Sequence, residues 1–254
     1  MRALDVLLDR PPWAASRDVT VLHVTHPKAG SQWVLAVLRQ LQPARVEPPA
    51  PAAAHVLGAR LRPGHIYPTV YLGRDALERL ELPTPHRIFA VVRDPRDTLV
   101  SYYFSMRYSH PLMSPHVARE RERLSAMDER GGLAATLEGQ SLRRFVQIQL
   151  SWLHAGVPVL RYENLLADEL AGFTRIAEHC MLPVGPRALR RAVARCSFER
   201  QAGRPRGRED VHSHLRRATV GDWRNHLDAG LQRRFRELYG AALIETGYEK
   251  DDAW

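Results

Sequence analysis

Apolar and polar positions follow two different patterns along the chain. Short runs rich in β-branched residues occupy 19–25 (VTVLHVT), 87–93 (RIFAVVR) and 157–162 (VPVLRY), and such runs are typical of buried strands. Between them, apolar residues recur every three or four positions, as in helices that pack by one face. This second pattern predicts helices over 31–41, 74–80, 98–108, 117–130, 142–156, 166–180, 186–200 and 231–247.

The order of these elements predicts the fold class. Strands that alternate with helices favour an α/β protein, in which a parallel sheet is covered by helices on both faces. Gly131 and Gly132 are expected to end the charged helix that precedes them. We see neither an internal repeat nor a domain-sized linker, so we predict a single domain spanning 1–254.

Three polar side chains follow the predicted strands. Lys28, Arg93 and Tyr162 come at or just beyond the ends of the three apolar runs. Ligands of open parallel sheets bind at the carboxyl ends of the strands. We therefore expect these three side chains to converge on one site.

The first of these strands leads into the turn HPKAGSQW, which has the features of an anion site. Gly30 allows close approach of the backbone, Ser31 offers a hydroxyl and a plausible helix cap, and the N-terminus of the following helix favours negative charge. Lys28 adds a compact cation, in a chain that has 35 arginines and only two lysines. The triphosphatase pattern places its lysine after the last glycine, and no strand here ends in an Asp for magnesium.

The positive charge is concentrated in one stretch. Of the formal net charge of +9, the segment 187–217 carries ten arginines against three acids. Such a segment could bind a polyphosphate-like small ligand, an acidic acceptor or a nucleic-acid backbone, and a solvated charged face is an equal alternative from composition alone.

The two cysteines, Cys180 and Cys196, allow neither a disulfide framework nor a four-thiolate zinc site. The N-terminal sequence has acids within its short apolar stretch, unlike a signal peptide, and no apolar run is long enough to span a bilayer. We predict a cytoplasmic location, no metal and no integral contact with a membrane.

Four motifs, in order, resemble those of sulfotransferases that use 3′-phosphoadenosine 5′-phosphosulfate (PAPS). PKAGSQW resembles the loop that binds the 5′-phosphosulfate, and RDPRDTLVSYY resembles the 3′-phosphate motif. RYENL and RRATVGDWRN resemble the third and fourth motifs. The resemblance implies a P-loop-like fold, PAPS as co-substrate and 3′-phosphoadenosine 5′-phosphate (PAP) as product.

The resemblance also implies roles for individual residues. Lys28, Gly30, Ser31, Gln32 and Trp33 are expected around the 5′-phosphosulfate, Arg93, Ser101, Arg216 and Arg217 at the 3′-phosphate, and Tyr162 near the adenine. Two residues depart from the family pattern. Gln32 replaces a hydroxyl residue, and Ala218 replaces a glycine of the fourth motif.

Sulfuryl transfer to a hydroxyl needs alignment, charge stabilisation on the leaving oxygen and a base. The resemblance implies a histidine base, and His65 in LRPGHIYP has the corresponding chain position, with Arg62 nearby. Lys28 is expected to stabilise the leaving phosphate. His26, next to the phosphate loop, is the rival base, although it is expected to pack.

The sequence therefore predicts a sulfotransferase that moves a sulfuryl group in line from PAPS to a hydroxyl or amine. The acceptor stays open among a small molecule, a glycopeptide, a lipid and a peptide, no nucleic-acid partner is expected on this reading, and the oligomeric state is unknown. Two alternatives remain at this point. One is a nucleotide-dependent phosphotransferase or kinase, and the other is a nucleic-acid-binding protein that uses the arginines of 187–217.

Overall fold

The computed structural model describes residues 19–48 and 61–254. Four strands form one parallel sheet in the order β2-β1-β3-β4. They are β1 (Thr20–Thr25), β2 (Ile66–Val70), β3 (His86–Val92) and β4 (Val159–Arg161). The sequence patterns miss β2, because Pro68 interrupts its apolar run. A proline is tolerated there because β2 lies at the edge of the sheet.

Helices connect and cover the strands. Those that matter most for the site are α1, which follows β1, α3, which follows β3, and α6, which packs across the sheet. The helices are α1 (Ser31–Leu41), α2 (Arg74–Glu78), α3 (Pro95–Phe104), α4 (Pro115–Ser125), α5 (Glu129–Leu137), α6 (Gln140–Leu153), α7 (Tyr162–Ala167), α8 (Glu169–His179), α9 (Pro186–Arg195), α10 (Phe198–Ala202) and α11 (Ala229–Glu245). A π-helical turn, Ser105–Ser109, extends α3, and a 3-10 turn, Asp222–Asn225, precedes α11.

Both faces of the sheet are buried under helices. On one face, Val21 of β1 belongs to a core cluster with residues of α1 and α8 such as Leu38 and Ile176. On the other, Leu22 belongs to a cluster with Trp152 of α6. Successive strand residues point to opposite faces, so a sheet covered on both sides needs a continuous apolar run. The predicted α/β class is confirmed, whereas the domain bounds 1–254 stay a prediction because 1–18 and 49–60 lie outside the described residues.

The helix prediction for the middle of the chain needs a correction. Gly131 and Gly132 do not end a helix but lie in the first turn of α5. Asp128 caps this helix by accepting a hydrogen bond from the Gly131 N–H at 2.7 Å. A Cβ on Gly132 would lie 2.5 Å from Cε2 of Tyr103, so the glycine permits close packing of α5 against α3.

Candidate active site

The loop between β1 and α1 has an unusual backbone. Lys28 and Gly30 both have left-handed dihedrals, with φ of 75° and 86°. A Cβ on Gly30 would lie 2.8 Å from Cδ2 of Tyr162, so only glycine fits this approach. Strain at a residue such as Lys28 costs about 1–3 kcal/mol and is concentrated at functional sites. Gly30 takes the cap position of α1, and the hydroxyl of Ser31, which was expected to cap the helix, lies 2.8 Å from that of Tyr71.

The ends of β1, β3 and β4 meet around this loop, as the sequence predicts. Arg93 is buried and donates from Nη1 to the carbonyl of Lys28 at 2.9 Å. Its guanidinium lies 4.5 Å from the ring centroid of Tyr162. A hydrogen bond from the Arg93 N–H to Gln149 of α6, at 3.1 Å, fixes the end of β3 against that helix.

A cavity of about 980 Å³ opens at this edge of the sheet. Every residue that the sequence motifs assign to the nucleotide lines it. These residues are Lys28, Gly30, Ser31, Gln32, Trp33, Arg93, Ser101, Tyr162, Arg216 and Arg217. The structure thus brings together positions that are up to 189 residues apart in the chain.

The electrostatics of the loop favour an anion. Burial, and then the positive charges of Arg93 and Arg216, lower the pKa of Lys28 to about 7. Cations gathered without a compensating anion destabilise one another. The arrangement is therefore suited to a ligand that carries several negative charges.

Several buried donors around the cavity lack a hydrogen-bond partner among the described residues. They include Nε of Arg93, Nε of Arg217 and Nε1 of Trp33. An unpaired buried donor costs about 1–3 kcal/mol, so such atoms usually mark a missing partner. Their positions fit a polyanionic, aromatic ligand such as a nucleotide.

The first part of the fourth motif lies in a segment that borders the cavity. We call this segment, residues 213–221, the flap. Arg216 and Arg217 both form ion pairs with Asp222, and the Arg217 Nη1 lies 2.6 Å from Oδ1 of that carboxylate. The guanidinium of Arg216 lies 4.4 Å from the ring centroid of Phe104. Ala218, where the motif pattern predicts glycine, has a left-handed backbone with φ of 51°. Its conformation explains why glycine suits that position.

Asp97 is a site residue that the sequence reasoning missed. Its carboxylate accepts hydrogen bonds from the N–H groups of Gly221, at 2.7 Å, and Trp223, at 3.0 Å. This buried contact ties the first turn of α3 to the end of the flap. The signal was available, because Asp97 is the last residue of the RDPRD motif that Arg93 opens.

The structure does not bring His65 to the cavity. This residue precedes β2 and accepts a backbone hydrogen bond from Val21, near the start of β1, whereas Lys28 lies beyond the end of that strand. The four steps of strand from Val21 to Thr25 alone span about 13 Å. His65 contacts Glu47 instead, with 2.7 Å between Nδ1 and Oε1. Its selection rested on chain position, which does not show which end of a strand a residue occupies.

Other histidines do reach the cavity. His110, just after the π-helical turn, and His214, in the flap, both line it. Burial, then the charges of Lys28 and Arg121, lower the pKa of His110, and the charge of Lys28 is the main cause that lowers the pKa of His214 to about 4. Both imidazoles are therefore neutral near pH 7. His26, the rival base, is buried against Gln149 and Phe145, as expected for a packing residue.

The fold and the cavity together define an α/β protein that gathers cations and unpaired donors, suited to a polyanion, at the carboxyl edge of its sheet. The family model for the sulfotransferase domain matches residues 75–247 of the chain. This chain therefore belongs to the sulfotransferase family, as its motifs predict. The match begins after the phosphate loop, so the assignment of the loop depends on the motif and on its place in the structure.

Known relatives share low sequence identity with this chain, but they align with most of its length. Sulfotransferase 6B1 of Danio rerio is 23% identical over 94% of this chain and 83% of its own length. The 3-alpha-hydroxysteroid sulfotransferase of Cavia porcellus is 24% identical over 88% of this chain and 83% of its own. Both names give the same family, and only the second specifies an acceptor.

Solved structures share the fold. Mouse sulfotransferase SULT7A1, complexed with PAP, superposes with a TM-score of 0.63 at 19% identity over 90% of this chain and 86% of its own. Retinol dehydratase in a complex with retinol and PAP gives a TM-score of 0.55 at 14% identity over 90% and 82%. These similarities confirm the predicted P-loop-like architecture.

Within 19–48 and 61–254, no cluster of three or more His, Cys, Asp or Glu side chains could hold a metal ion. In the same part of the chain, no helix has the length and apolar character needed to cross a bilayer. Cys180 and Cys196 are both buried and unpaired.

Proposed function

We propose that the protein transfers a sulfuryl group from PAPS to a hydroxyl acceptor bound in the same cavity. The observation that carries this proposal is the position of Lys28 in the left-handed loop that lines the cavity, where burial, then Arg93 and Arg216, lower its pKa to about 7. The donor supplies the sulfuryl group, and PAP-bound proteins of the same fold support a nucleotide at this edge of the sheet. The cytoplasmic location stays a prediction.

Different cations bind the two phosphate groups of the donor. Lys28 and the N-terminus of α1 stabilise the 5′-phosphate, which takes up negative charge as the bond to sulfur breaks. Arg93 and the flap arginines bind the second phosphate through planar guanidinium groups. Trp33 and Tyr162 provide an aromatic surface for the adenine ring of the donor. Their rings meet edge to face, with 6.2 Å between ring centroids.

We assign the base to His110 instead of His65. Its backbone is fixed, because its N–H donates to the carbonyl of Ser105 at 2.6 Å and its own carbonyl accepts from Arg121. Its neutral imidazole accepts the acceptor proton while the acceptor oxygen bonds to sulfur opposite the leaving phosphate oxygen. The bond from sulfur to that oxygen breaks, and the products are a sulfate ester and PAP. A base with a pKa near the working pH is more effective, which disfavours His214.

Calorimetric titration with PAP tests the donor site. We expect tight binding that does not need magnesium, weaker binding of ADP and ATP, and a large loss of affinity in Arg93→Ala. A preference for ATP with magnesium would instead indicate a phosphotransferase. Binding to nucleic acid that falls steeply with salt, and that PAP does not displace, would indicate the third alternative.

The base assignment has its own experiment. His110→Gln should lower kcat by about 100- to 10,000-fold and leave PAP affinity nearly unchanged, as is usual when a general base is lost. His65→Gln is the matched control and should stay within about two-fold of wild type. A loss of kcat in His214→Gln or His65→Gln, with His110→Gln active, would contradict the assignment.

A further inference from the structure

One face of α6 forms a wall of the cavity that the nucleotide residues do not use. Ser141, Arg144, Phe145 and Ile148 line the cavity from this helix. Their spacing of three, four and seven residues places them along a single helical stripe. This stripe is one part of the cavity that the nucleotide residues leave free for an acceptor.

Most of this wall is apolar and well ordered by packing. Phe145 meets Tyr102 of α3 edge to face, with 5.1 Å between ring centroids, and the Tyr102 hydroxyl donates to Oγ of Ser141 at 3.0 Å. Val117 and Met113 also line the cavity, and Met113 is 61% exposed. The wall suits an acceptor with an aromatic or aliphatic body.

Arg144 is the exception on this wall. Several other charged groups that line the cavity have ion-pair partners, since Arg216 and Arg217 pair with Asp222, and Glu169 pairs with Arg206. Arg144 is exposed, and none of the described residues forms a hydrogen bond or ion pair with its side chain. An unpaired guanidinium beside an apolar surface is suited to a carboxylate, which it binds through two parallel hydrogen bonds.

The helix also sets the distance between this cation and the reacting end of the cavity. Gln149 of α6 accepts the N–H of Arg93 and so marks the donor end. Arg144 lies five residues earlier, which is about 7.5 Å along the helix axis. A ligand that contacts both ends must therefore separate its hydroxyl from its anionic group by several bonds.

We propose that the acceptor is a hydroxyl compound with an apolar body and a carboxylate, and that Arg144 binds this carboxylate. The assignment rests on the proposed function, because it needs sulfuryl transfer in the same cavity. It divides the cavity cations into two sets. Lys28, Arg93 and the flap arginines serve the donor, and Arg144 selects the acceptor.

The test compares two acceptors that differ only in charge. We would measure kcat and KM with 4-(4-hydroxyphenyl)butanoate and with its primary amide, for wild type, Arg144→Gln and Arg143→Gln. Arg143 is the matched control, because it is an exposed arginine of the same helix that does not line the cavity. Wild type and Arg143→Gln should favour the acid by about ten-fold in kcat/KM, mainly through KM, as expected for a charged hydrogen bond. Arg144→Gln should treat the two compounds alike.

Two results would overturn the assignment. One is equal use of acid and amide by wild type, and the other is a preference for the acid that survives in Arg144→Gln. Calorimetry with the PAP-loaded protein gives a second readout that does not depend on turnover. If the acid binds no more tightly than the amide there, the assignment fails. If PAP itself does not bind, the proposed function fails, and the acceptor assignment fails with it.

Discussion

The donor side and the acceptor side of the cavity are built in different ways. On the donor side, Lys28 lies in the loop that follows β1 and Arg93 follows directly after β3, and a hydrogen bond between them fixes their separation. On the acceptor side, Phe145 and Arg144 belong to the middle of a long helix, and their place is set by packing against α3. The first arrangement is determined by short segments of sequence, and the second needs the assembled fold.

The largest expected effect concerns the cation at the centre of the donor side. Lys28→Met should reduce PAP affinity by at least about 100-fold and kcat by more, because it removes the cation that we propose faces the developing negative charge on the leaving oxygen. Lys250→Met, which changes the other lysine, should behave as wild type. Calorimetry and steady-state rates measure both. Normal PAP affinity in Lys28→Met would show that the donor side does not depend on this residue.

The next effect concerns the link between the donor side and the flap. Asp97→Asn should lower the free energy of unfolding by about 2 kcal/mol, because a charged acceptor of two buried N–H groups is lost. PAP affinity should fall as well, since the flap arginines are then less well positioned. Urea unfolding measures the change. Asp75→Asn, an exposed residue of α2, is the control and should have no measurable effect.

The same difference explains how much of each side of the cavity could be predicted from the sequence. The motifs place ten nucleotide residues, all of which line the cavity. Most of them lie at a strand end or helix start, whereas Ser101 lies within α3 and Arg216 and Arg217 lie in the flap. The motifs did not reveal β2, whose edge position tolerates Pro68, or the role of Asp97, which depends on a contact 124 residues away. His65 shows the limit most clearly. Its chain position matched the family, but its place at the start of a strand instead of the end depends on where β2 begins.

The lowered pKa of Lys28 predicts that the protein takes up a proton when PAP binds at pH 8. Burial, Arg93 and Arg216 lower its pKa to about 7, so at pH 8 most of the free protein carries a neutral Lys28. A bound polyanion favours the charged form and raises this pKa, so binding at pH 8 takes up a proton. PAP titrations in buffers of different ionisation enthalpy should show an uptake close to one proton at pH 8. Uptake by Lys28 should fall towards zero by pH 6, where the lysine is already charged.

The variant Lys28→Arg tests whether Lys28 or a neighbouring histidine takes up this proton. Arginine keeps the charge but does not titrate in this range, so PAP should bind at pH 8 with little proton uptake. His110 and His214 also face the site and have lowered pKa values, so they contribute at lower pH. Undiminished uptake at pH 8 in Lys28→Arg would assign the proton to another group.

The smallest effect concerns Ala218, where the flap departs from the family pattern. Its left-handed backbone, with φ of 51°, is strained for alanine and free of strain for glycine. Ala218→Gly should therefore raise the free energy of unfolding by about 0.5 kcal/mol, since the relief of strain exceeds the added entropy of the unfolded chain. Ala118→Gly, at an exposed position in α4, should lower it by about 1 kcal/mol, because no such strain is relieved there. If urea unfolding shows the same loss for both variants, the strain at Ala218 does not contribute to stability, and the flap tolerates alanine at no cost.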